Sequence, residues 1–330
     1  MPRLRNATAC LKAVERAIHW LQRRAGDGPA WGCDALPLSV WHKLPLLLAN
    51  SGRLEGCRGV LSHARDALLR PDGVLRSRPV EGGEEPPAAA TEDQAWLALG
   101  AHHCGRFGIS YPVCRCLMRL QGVNTGGVYD PSSEGKPGAA DIRTTAAVGL
   151  LFLQMGRAVE ARRAGRFVTE AVVSQIEEKR FFLRLDTQGR PIRKFEKGDT
   201  GRHVLSTAQG RATLSHLGVP IVFLTRLHLA TGEQEWVEAA MDTFIVAENQ
   251  GRECWTGPDA GALVWGAAAL YDLTRRRHYY DAAEAIAQSQ INDLGEDGAW
   301  RNGSRPDPET IVHDTIEAAA CLTAAVREAQ

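Results

Sequence analysis

The sequence predicts an all-α protein in which six helical hairpins close into a ring, an (α/α)6 toroid with an inner and an outer layer of helices. Three observations favour this fold. Apolar residues recur at helical spacing along most of the 330-residue chain. Short and long connections alternate between the helical segments. A glycine turn followed by an apolar or aromatic residue recurs about every fifty residues, and because one hairpin cannot bury its own apolar face, such repeats are expected to form a single domain over residues 1–330.

Each helix is predicted from an apolar face, a capping residue or acid at its start, and a glycine or proline break at its end. The predicted helices cover approximately residues 6–25, 39–50, 54–69, 91–104, 110–121, 141–155, 157–176, 211–230, 234–248, 257–275, 279–292 and 308–325. Residues 76–90 contain paired glycines and prolines and are predicted to form a flexible loop. An alternating apolar pattern around a glycine turn at 181–195 predicts one small β-hairpin insertion.

Composition limits the partners of the chain. Lys and Arg total 39, as do Asp and Glu, so the formal net charge is zero and no basic surface for nucleic acid is expected. The chain has no apolar run long enough for a membrane span, and its start lacks the pattern of a secretory signal. The eight cysteines are scattered among helices, which favours reduced thiols and a cytoplasmic location. We therefore expect a small-molecule substrate, and a second copy of the chain, in a homodimer, is the other candidate partner.

Several turns resemble those of known families. Three segments are similar to the Gln, Gly and aromatic turns of terpenoid cyclases and protein prenyltransferase β subunits: Gln22 followed by Asp27 to Gly32, Gln121 followed by Gly126 to Asp130, and Gln290 followed by Asp297 to Trp300. The segment from Pro258 to Tyr271, continued by Tyr279 to Ala283, is similar instead to unsaturated glucuronyl hydrolases and N-acylglucosamine epimerases. Both resemblances imply the α/α-toroid fold, and neither assigns a reaction.

The motifs that would assign a reaction within these families are missing. Glu92 and Asp93 do not match the aspartate run of class II terpene cyclases. Cys254, Cys321 and His313 do not follow the zinc-binding arrangement of prenyltransferases. We therefore predict no metal and no cofactor.

In such a ring, the N-terminal ends of the inner helices and the long loops before them surround one mouth of a central cavity, where helix dipoles favour anions. Substrate is expected to enter there, over the 76–90 loop and the 181–195 hairpin. The predicted catalytic residues are Asp141, Arg143, His313 and Asp314, with Asp141 or Asp314 as general acid and Arg143 as the anchor for a carboxylate or carbonyl. The predicted substrate-binding residues are Tyr129, Asp130, Trp41, His42, Glu92, Trp96, His216 and Trp265.

Each candidate also has a structural interpretation. Asp141 and Glu92 are helix-start acids, and capping alone would explain their positions. Arg143 interrupts an apolar stretch and therefore needs a partner, for which Asp141, Asp130 or a ligand carboxylate is expected. His216 has apolar neighbours, which is typical of a core histidine. The tryptophans would pack in the core of any toroid.

Three classes of function remain. The first, which we prefer, is a cyclase or isomerase of terpenoid or polyketide metabolism that folds a largely apolar substrate, with or without a carboxylate, between aromatic walls. The second is a carbohydrate-active enzyme, an epimerase or an unsaturated-glycoside hydrolase, that uses an Asp and His pair for acid and base catalysis. The third is a toroid that binds a ligand without catalysis.

Overall fold

The computed structural model describes residues 4–26, 28–80, 82–129, 138–175, 180–205, 214–252, 255–256, 260–301 and 306–329. Its α-helices, in chain order, are α1 (Ala7–Ala25), α2 (Leu38–Trp41), α3 (Leu44–Asn50), α4 (Leu54–His63), α5 (Thr91–His103), α6 (Phe107–Arg119), α7 (Ile142–Gln154), α8 (Ala158–Val173), α9 (Thr200–His203), α10 (Ser215–Thr231), α11 (Gln234–Glu248), α12 (Gly261–Thr274), α13 (Arg277–Asp293) and α14 (Pro308–Glu328). A π-helical turn, Ala64–Leu68, continues α4.

Six helices form a closed inner ring. Each of α3, α5, α7, α10, α12 and α14 packs against the next, and α14 returns to α3. An outer helix covers each one: α4, α6, α8, α11 and α13 pack on the inner helix that precedes them, and α1 packs on α14. The inner helices are apolar on nearly every side, as in α12, where most residues are buried. This arrangement confirms the predicted (α/α)6 toroid.

The predicted helix at 39–50 is interrupted in its first half. Helix α2 ends at Trp41 and α3 begins at Leu44, with Pro45 in its first turn. Proline has no N–H to donate, and its ring crowds the carbonyl four residues earlier, which here belongs to Trp41. The break leaves His42 and Lys43 between the two helices, at the mouth of the ring.

The 181–195 segment forms its predicted turn but pairs more widely than one hairpin. Ile192 N donates to Arg184 O at 3.0 Å across the turn. Its strand residues pair with other segments, in two antiparallel pairs: Ala140–Asp141 (β1) with Arg184–Leu185 (β3), and Phe181–Phe182 (β2) with Val204–Leu205 (β4). Because β1 runs directly into α7, this pairing ties the segment to the mouth of the ring.

The 76–90 loop is tied together at its base. Ser77 N donates to Pro87 O at 2.9 Å, Ala89 N donates to Leu75 O at 2.8 Å, and Arg76 pairs with Glu85 at 2.9 Å. The loop was predicted to be flexible from its glycines and prolines, and the sequence did not indicate these contacts between its two ends.

One prediction about the cysteines is wrong, because a disulfide joins Cys57 of α4 to Cys104 at the end of α5. The partners are 47 residues apart in sequence, and only the packing of neighbouring hairpins brings them together. The other described cysteines are free and buried. None of the helices in the described ranges is long and apolar enough to cross a membrane.

Candidate functional site

The N-terminal ends of α5, α7, α10 and α14 meet the break between α2 and α3 at one mouth of the ring. Because neighbouring inner helices pack side by side, polar residues of the first turns of α5, α7 and α10 lie close to residues of the second and third turns of α14. We call this set the mouth cluster: His42, Lys43, Glu92, Asp93, Arg143, Ser215, His313, Asp314 and Glu317.

Two cations and two carboxylates form the centre of the mouth cluster. Lys43 Nζ lies 2.6 Å from Glu317 Oε1, and Arg143 Nε lies 2.7 Å from Glu92 Oε1. Arg143 also reaches Glu317 at 3.6 Å and donates to Ser215 Oγ at 3.2 Å. The four charged side chains are each at most 20% exposed, so each needs the opposite charge to offset its desolvation. Among the described residues, the ion-pair partners of Arg143 are thus Glu92 and Glu317 rather than the expected Asp141, and the other expected partner, Asp130, lies outside these residues.

The ion pairs hold both carboxylates in their charged form. Burial alone would raise the pKa of Glu92, but the charges of Arg143 and Lys43 outweigh burial and lower that pKa to about 2. The same balance lowers the pKa of Glu317, where Lys43 supplies the largest favourable charge. Proton transfer near neutral pH therefore belongs to other members of the cluster.

Asp93 and His42 form a second buried pair of the cluster. Their nearest atoms, His42 Nδ1 and Asp93 Oδ1, lie 3.4 Å apart. Burial, reinforced by the negative charge of Glu92, raises the pKa of Asp93 to about 7. Burial and the positive charge of Lys43 lower the pKa of His42 to about 3. At neutral pH the imidazole is therefore uncharged, and the carboxyl is close to half ionised.

The tautomer of His42 follows from its backbone contact. Nδ1 lies 3.0 Å from the carbonyl oxygen of Ser39, so Nδ1 carries the hydrogen and Nε2 has a free lone pair. This Nε2 is buried and has no hydrogen-bond partner among the described atoms. A buried acceptor without a partner is costly, which makes a ligand hydroxyl group its natural complement.

His313 is the most accessible imidazole of the cluster. Its ring centroid lies 5.9 Å from that of His42, and its side chain is 37% exposed. Burial would lower the pKa of His313, but a 3.3 Å hydrogen bond to Asp314 and the charge of Glu317 raise it. The hydrogen bond to Asp314 and the charge of Glu317 therefore favour the protonated form of this imidazole.

Trp96 forms the floor beneath the charged groups. Its Nε1 donates to Glu92 Oε1 at 3.0 Å, and Lys43 Nζ lies 4.5 Å from the centroid of its ring. Trp265 lies further along the axis of the ring, with its centroid 6.3 Å from that of Trp96. The aromatic walls predicted from the sequence are represented here by this pair.

Asp141 has the capping role that its position suggested. Its Oδ1 accepts from Arg143 N at 2.9 Å and from Thr144 N at 3.0 Å, at the start of α7. Burial raises its pKa to about 6. His216 is adjacent to Arg143, and burial together with that positive charge lowers its pKa to about 4. Both residues border the cluster, Asp141 as a cap and His216 as a neutral imidazole.

Three predicted substrate-binding residues do not join the cluster through any described contact. Trp41 is buried and donates through Nε1 to Leu36 O at 3.2 Å. The hydroxyl of Tyr129 bonds to Thr125 Oγ1 at 2.7 Å, within its own turn. Trp265 donates to Glu328 Oε1 at 3.1 Å, toward the opposite end of the ring. Asp130 lies outside the described residues.

Asp93 and Glu317 are among the polar residues that the sequence places on the inner helices near the mouth, but neither was selected as a site residue, and Lys43 was not a candidate. Lys43 precedes an apolar run and Glu317 interrupts one, and this is the signal that singled out Arg143. Asp93 carried no such signal, because an acid in the first turn of a helix is explained by the helix dipole. Its importance comes from a burial that only the closed ring creates.

A trio within the described part of the chain has the spacing of a metal site. One ligand atom from each of His42, His313 and Glu317 lies within 4.8 Å of the others. Lys43 Nζ, however, contacts both carboxylate oxygens of Glu317 and brings a positive charge to the position that a cation would take. The residues therefore fit a metal poorly, and no step proposed below uses one.

Comparisons with known proteins agree on the fold. No protein-family model matches the sequence, and no curated protein matches it significantly. Among solved structures, a D-mannose isomerase superposes with a TM-score of 0.71 at 11% sequence identity, with 99% of each chain covered. A type II terpene cyclase from Scytonema, in complex with its substrate geranylgeranyl dihydroxybenzoate, gives 0.63 at 11% identity over 98% of this chain and 99% of the other. A glycoside hydrolase family 76 mannosidase from Bacteroides thetaiotaomicron gives 0.63 at 15% identity over 97% and 98%. The architecture shared with these enzymes identifies the chain as an (α/α)6-toroid protein.

Proposed function

We propose that the chain is a cofactor-independent isomerase that moves a proton between neighbouring carbons of a hydroxylated carbonyl compound, with a sugar as the substrate class. The observation that carries this proposal is the row of Asp93, His42 and His313, in which the pKa of the carboxyl is about 7 and the pKa of the outer imidazole is raised. Groups that titrate near neutrality can both give and take protons. The similarity in fold to a D-mannose isomerase supports the same class.

The charge of the mouth cluster favours a polar substrate. Lys43, Glu92, Arg143 and Glu317 form ion pairs, and an apolar chain placed against them would remove water without replacing its hydrogen bonds. Sugar hydroxyl groups can donate to the carboxylates and accept from the guanidinium group. The free Nε2 of His42 would accept from one further hydroxyl.

The two titrating groups divide the reaction between them. The carboxylate of Asp93 removes the proton from the carbon next to the carbonyl, and the imidazolium of His313 protonates the carbonyl oxygen, which produces an enediol. The neutral imidazole then takes the proton from the neighbouring hydroxyl, and the protonated Asp93 delivers its proton to the former carbonyl carbon. No electron acceptor is needed, because one carbon is oxidised as its neighbour is reduced. A carboxylate base with an imidazole electrophile is an established combination for this chemistry.

Proton exchange tests the proposal directly. Incubation with mannose, glucose or fructose in D2O, followed by NMR, is expected to show loss of C–H signals next to the carbonyl together with interconversion of the sugars. Asp93→Asn keeps the shape of the side chain but cannot accept the proton, so exchange should fall by about 100-fold or more. The control Asp66→Asn changes an exposed carboxylate and should retain full exchange. Exchange with none of the sugars by the folded protein, or full exchange by Asp93→Asn, would refute this function.

Cyclisation of a largely apolar substrate is the second candidate. It is favoured by one observation: near pH 7 about half of Asp93 is a neutral acid beside His42, so it could protonate an alkene or epoxide. The ring of Trp96, three residues further along α5, could stabilise the resulting cation. The Arg143 anchor predicted for a substrate carboxylate weighs against this candidate, because Glu92 and Glu317 already neutralise its charge. Conversion of a prenylated aromatic acid, with no exchange of sugar protons, would favour it over isomerisation.

A further inference from the structure

A second concave region lies at the opposite end of the ring, where the inner helices end. A cavity of about 620 Å³ opens there. Its volume falls within the range of roughly 300–1,000 Å³ that is typical of small-molecule sites. None of the residues of the mouth cluster lines it, so it is a separate site.

The walls of this cavity are largely apolar. One side of the cavity is formed by leucines of three inner helices: Leu46 of α3, Leu99 of α5, and Leu150 and Leu153 of α7. Trp265 of α12 lines the cavity from another inner helix of the ring. At the rim, Leu229 is 63% exposed. Within the cavity, Leu153 and Trp265 are only partly buried, and their remaining exposed surface is what a bound apolar group would cover.

The rim of the cavity carries an excess of positive charge. Arg226 pairs with Glu328. Arg327 donates to the backbone oxygen and to Oδ1 of Asn50, both at 3.2 Å, and forms no ion pair with a carboxylate in the described part of the chain. Two guanidinium groups against one carboxylate leave a net charge of +1 (2 − 1) at the rim. Cations at helix C-termini also stabilise helix dipoles, but that role does not require an apolar cavity beneath them.

We propose that this cavity binds an amphipathic anion, a carboxylate attached to an apolar chain or ring. The carboxylate lies against Arg327 and Arg226, and the apolar part packs on Leu99, Leu150 and Leu153. An exposed guanidinium pairs with carboxylates through two parallel hydrogen bonds, which gives the site its preference for the charged end of the ligand. This binding is independent of the isomerisation proposed for the mouth cluster.

Calorimetric titration with octanoate tests the proposal. We expect saturable binding of one octanoate per chain, and weaker binding of the uncharged octanol. Arg327→Ala should weaken octanoate binding by about tenfold, the factor that corresponds to one charge-assisted hydrogen bond. Leu153→Glu, which places a negative charge in the wall, should abolish it. Arg190→Ala removes an exposed guanidinium that pairs with Asp186, and it should bind octanoate like the unchanged protein.

Several results would overturn the assignment. Octanol binding as tightly as octanoate would make the cavity merely apolar, and an unchanged affinity in Arg327→Ala would remove the anion site. Sedimentation showing a dimer that octanoate cannot dissociate, with no saturable binding, would assign the cavity to a second copy of the chain. Asp93→Asn separates the two proposals: octanoate binding should be unchanged in this variant, even if sugar exchange is never observed.

Discussion

At the scale of the residue, the burial of Asp93 lowers the stability of the fold and also gives this carboxyl the pKa that the proposed reaction needs. A carboxyl buried beside the charge of Glu92 is destabilised whenever it ionises, and the pKa of about 7 expresses that cost. Natural cores avoid such groups unless a site needs them. We therefore expect the ionisation of Asp93 to lower the free energy of unfolding at neutral pH.

The pH dependence of unfolding tests this cost. The pKa of Asp93 is raised from 3.8 to about 7, so between these values the folded state binds more protons than the unfolded state, and stability falls as pH rises through that window. Asp93→Asn cannot ionise, so its free energy of unfolding in urea should exceed that of the unchanged protein by a few kcal/mol at pH 8, and the gain should vanish near pH 4. Other groups are common to both proteins and cancel in the difference. A difference that stays constant with pH would contradict the assigned pKa.

The sequence could predict those features of the site that depend on neighbouring residues in the chain, but not those that depend on contacts between distant helices. The need of Arg143 for a partner of opposite charge could be predicted, because a guanidinium within an apolar helix is costly without one. The partner itself could not be predicted, since Glu92 is 51 residues away and only the packing of α5 on α7 brings the two together. Asp141 carried a local signal, the helix cap, and that interpretation accounts for the hydrogen bonds that its side chain accepts from Arg143 N and Thr144 N. Local roles could therefore be predicted, whereas roles created by ring closure could not.

At the scale of the element, most helices lie where the sequence predicted them, with some ends shifted by a few residues, as in α6, predicted at 110–121 and spanning Phe107–Arg119. Helix α11, predicted at 234–248, spans Gln234–Glu248. The exception is the α2–α3 region, where the apolar pattern continues through Pro45 but the backbone hydrogen bonds cannot. The strand pairing of 181–185 was also out of reach, because both partner segments are distant in sequence.

The crossing of α10 and α12 depends on one glycine. A Cβ on Gly218 would lie 2.2 Å from the backbone carbonyl of Ala262 and 2.5 Å from Leu263 N. We expect Gly218→Ala to lower the free energy of unfolding by about 1–3 kcal/mol, because the two helices must separate. Gly108→Ala is the matched control: a Cβ there meets nothing within 4 Å, and alanine should stabilise α6 by up to about 1 kcal/mol. Urea unfolding of both variants checks the difference, and equal effects would rule out a close helix crossing.

At the scale of the whole molecule, the ring must hold its first and last inner helices together without a covalent link between them. The packing of α14 on α3, and of α1 on α14, closes the circle. The buried pair of Lys43 and Glu317 joins these same two inner helices, and Arg143 extends the contact to α7. The ion pairs of the mouth cluster therefore join the helices that close the ring, and this structural role is separate from the proposed isomerisation.

Substitution of the pair separates these roles. Lys43→Met leaves Glu317 buried without its nearest partner, and the free energy of unfolding should fall by about 3–5 kcal/mol. The double variant Lys43→Met with Glu317→Met replaces both charges with apolar side chains and should regain most of that loss, because no unpaired charge remains. Arg162→Met, which breaks the half-exposed pair of Arg162 and Glu233 between outer helices, serves as control and should cost less than about 1 kcal/mol. If Lys43→Met lowered the free energy of unfolding no more than Arg162→Met does, the pair of Lys43 and Glu317 would not stabilise the closed ring. The double variant could instead be as stable as the unchanged protein and yet exchange no sugar protons. In that case the charges of Lys43 and Glu317 are needed for the substrate rather than for the fold.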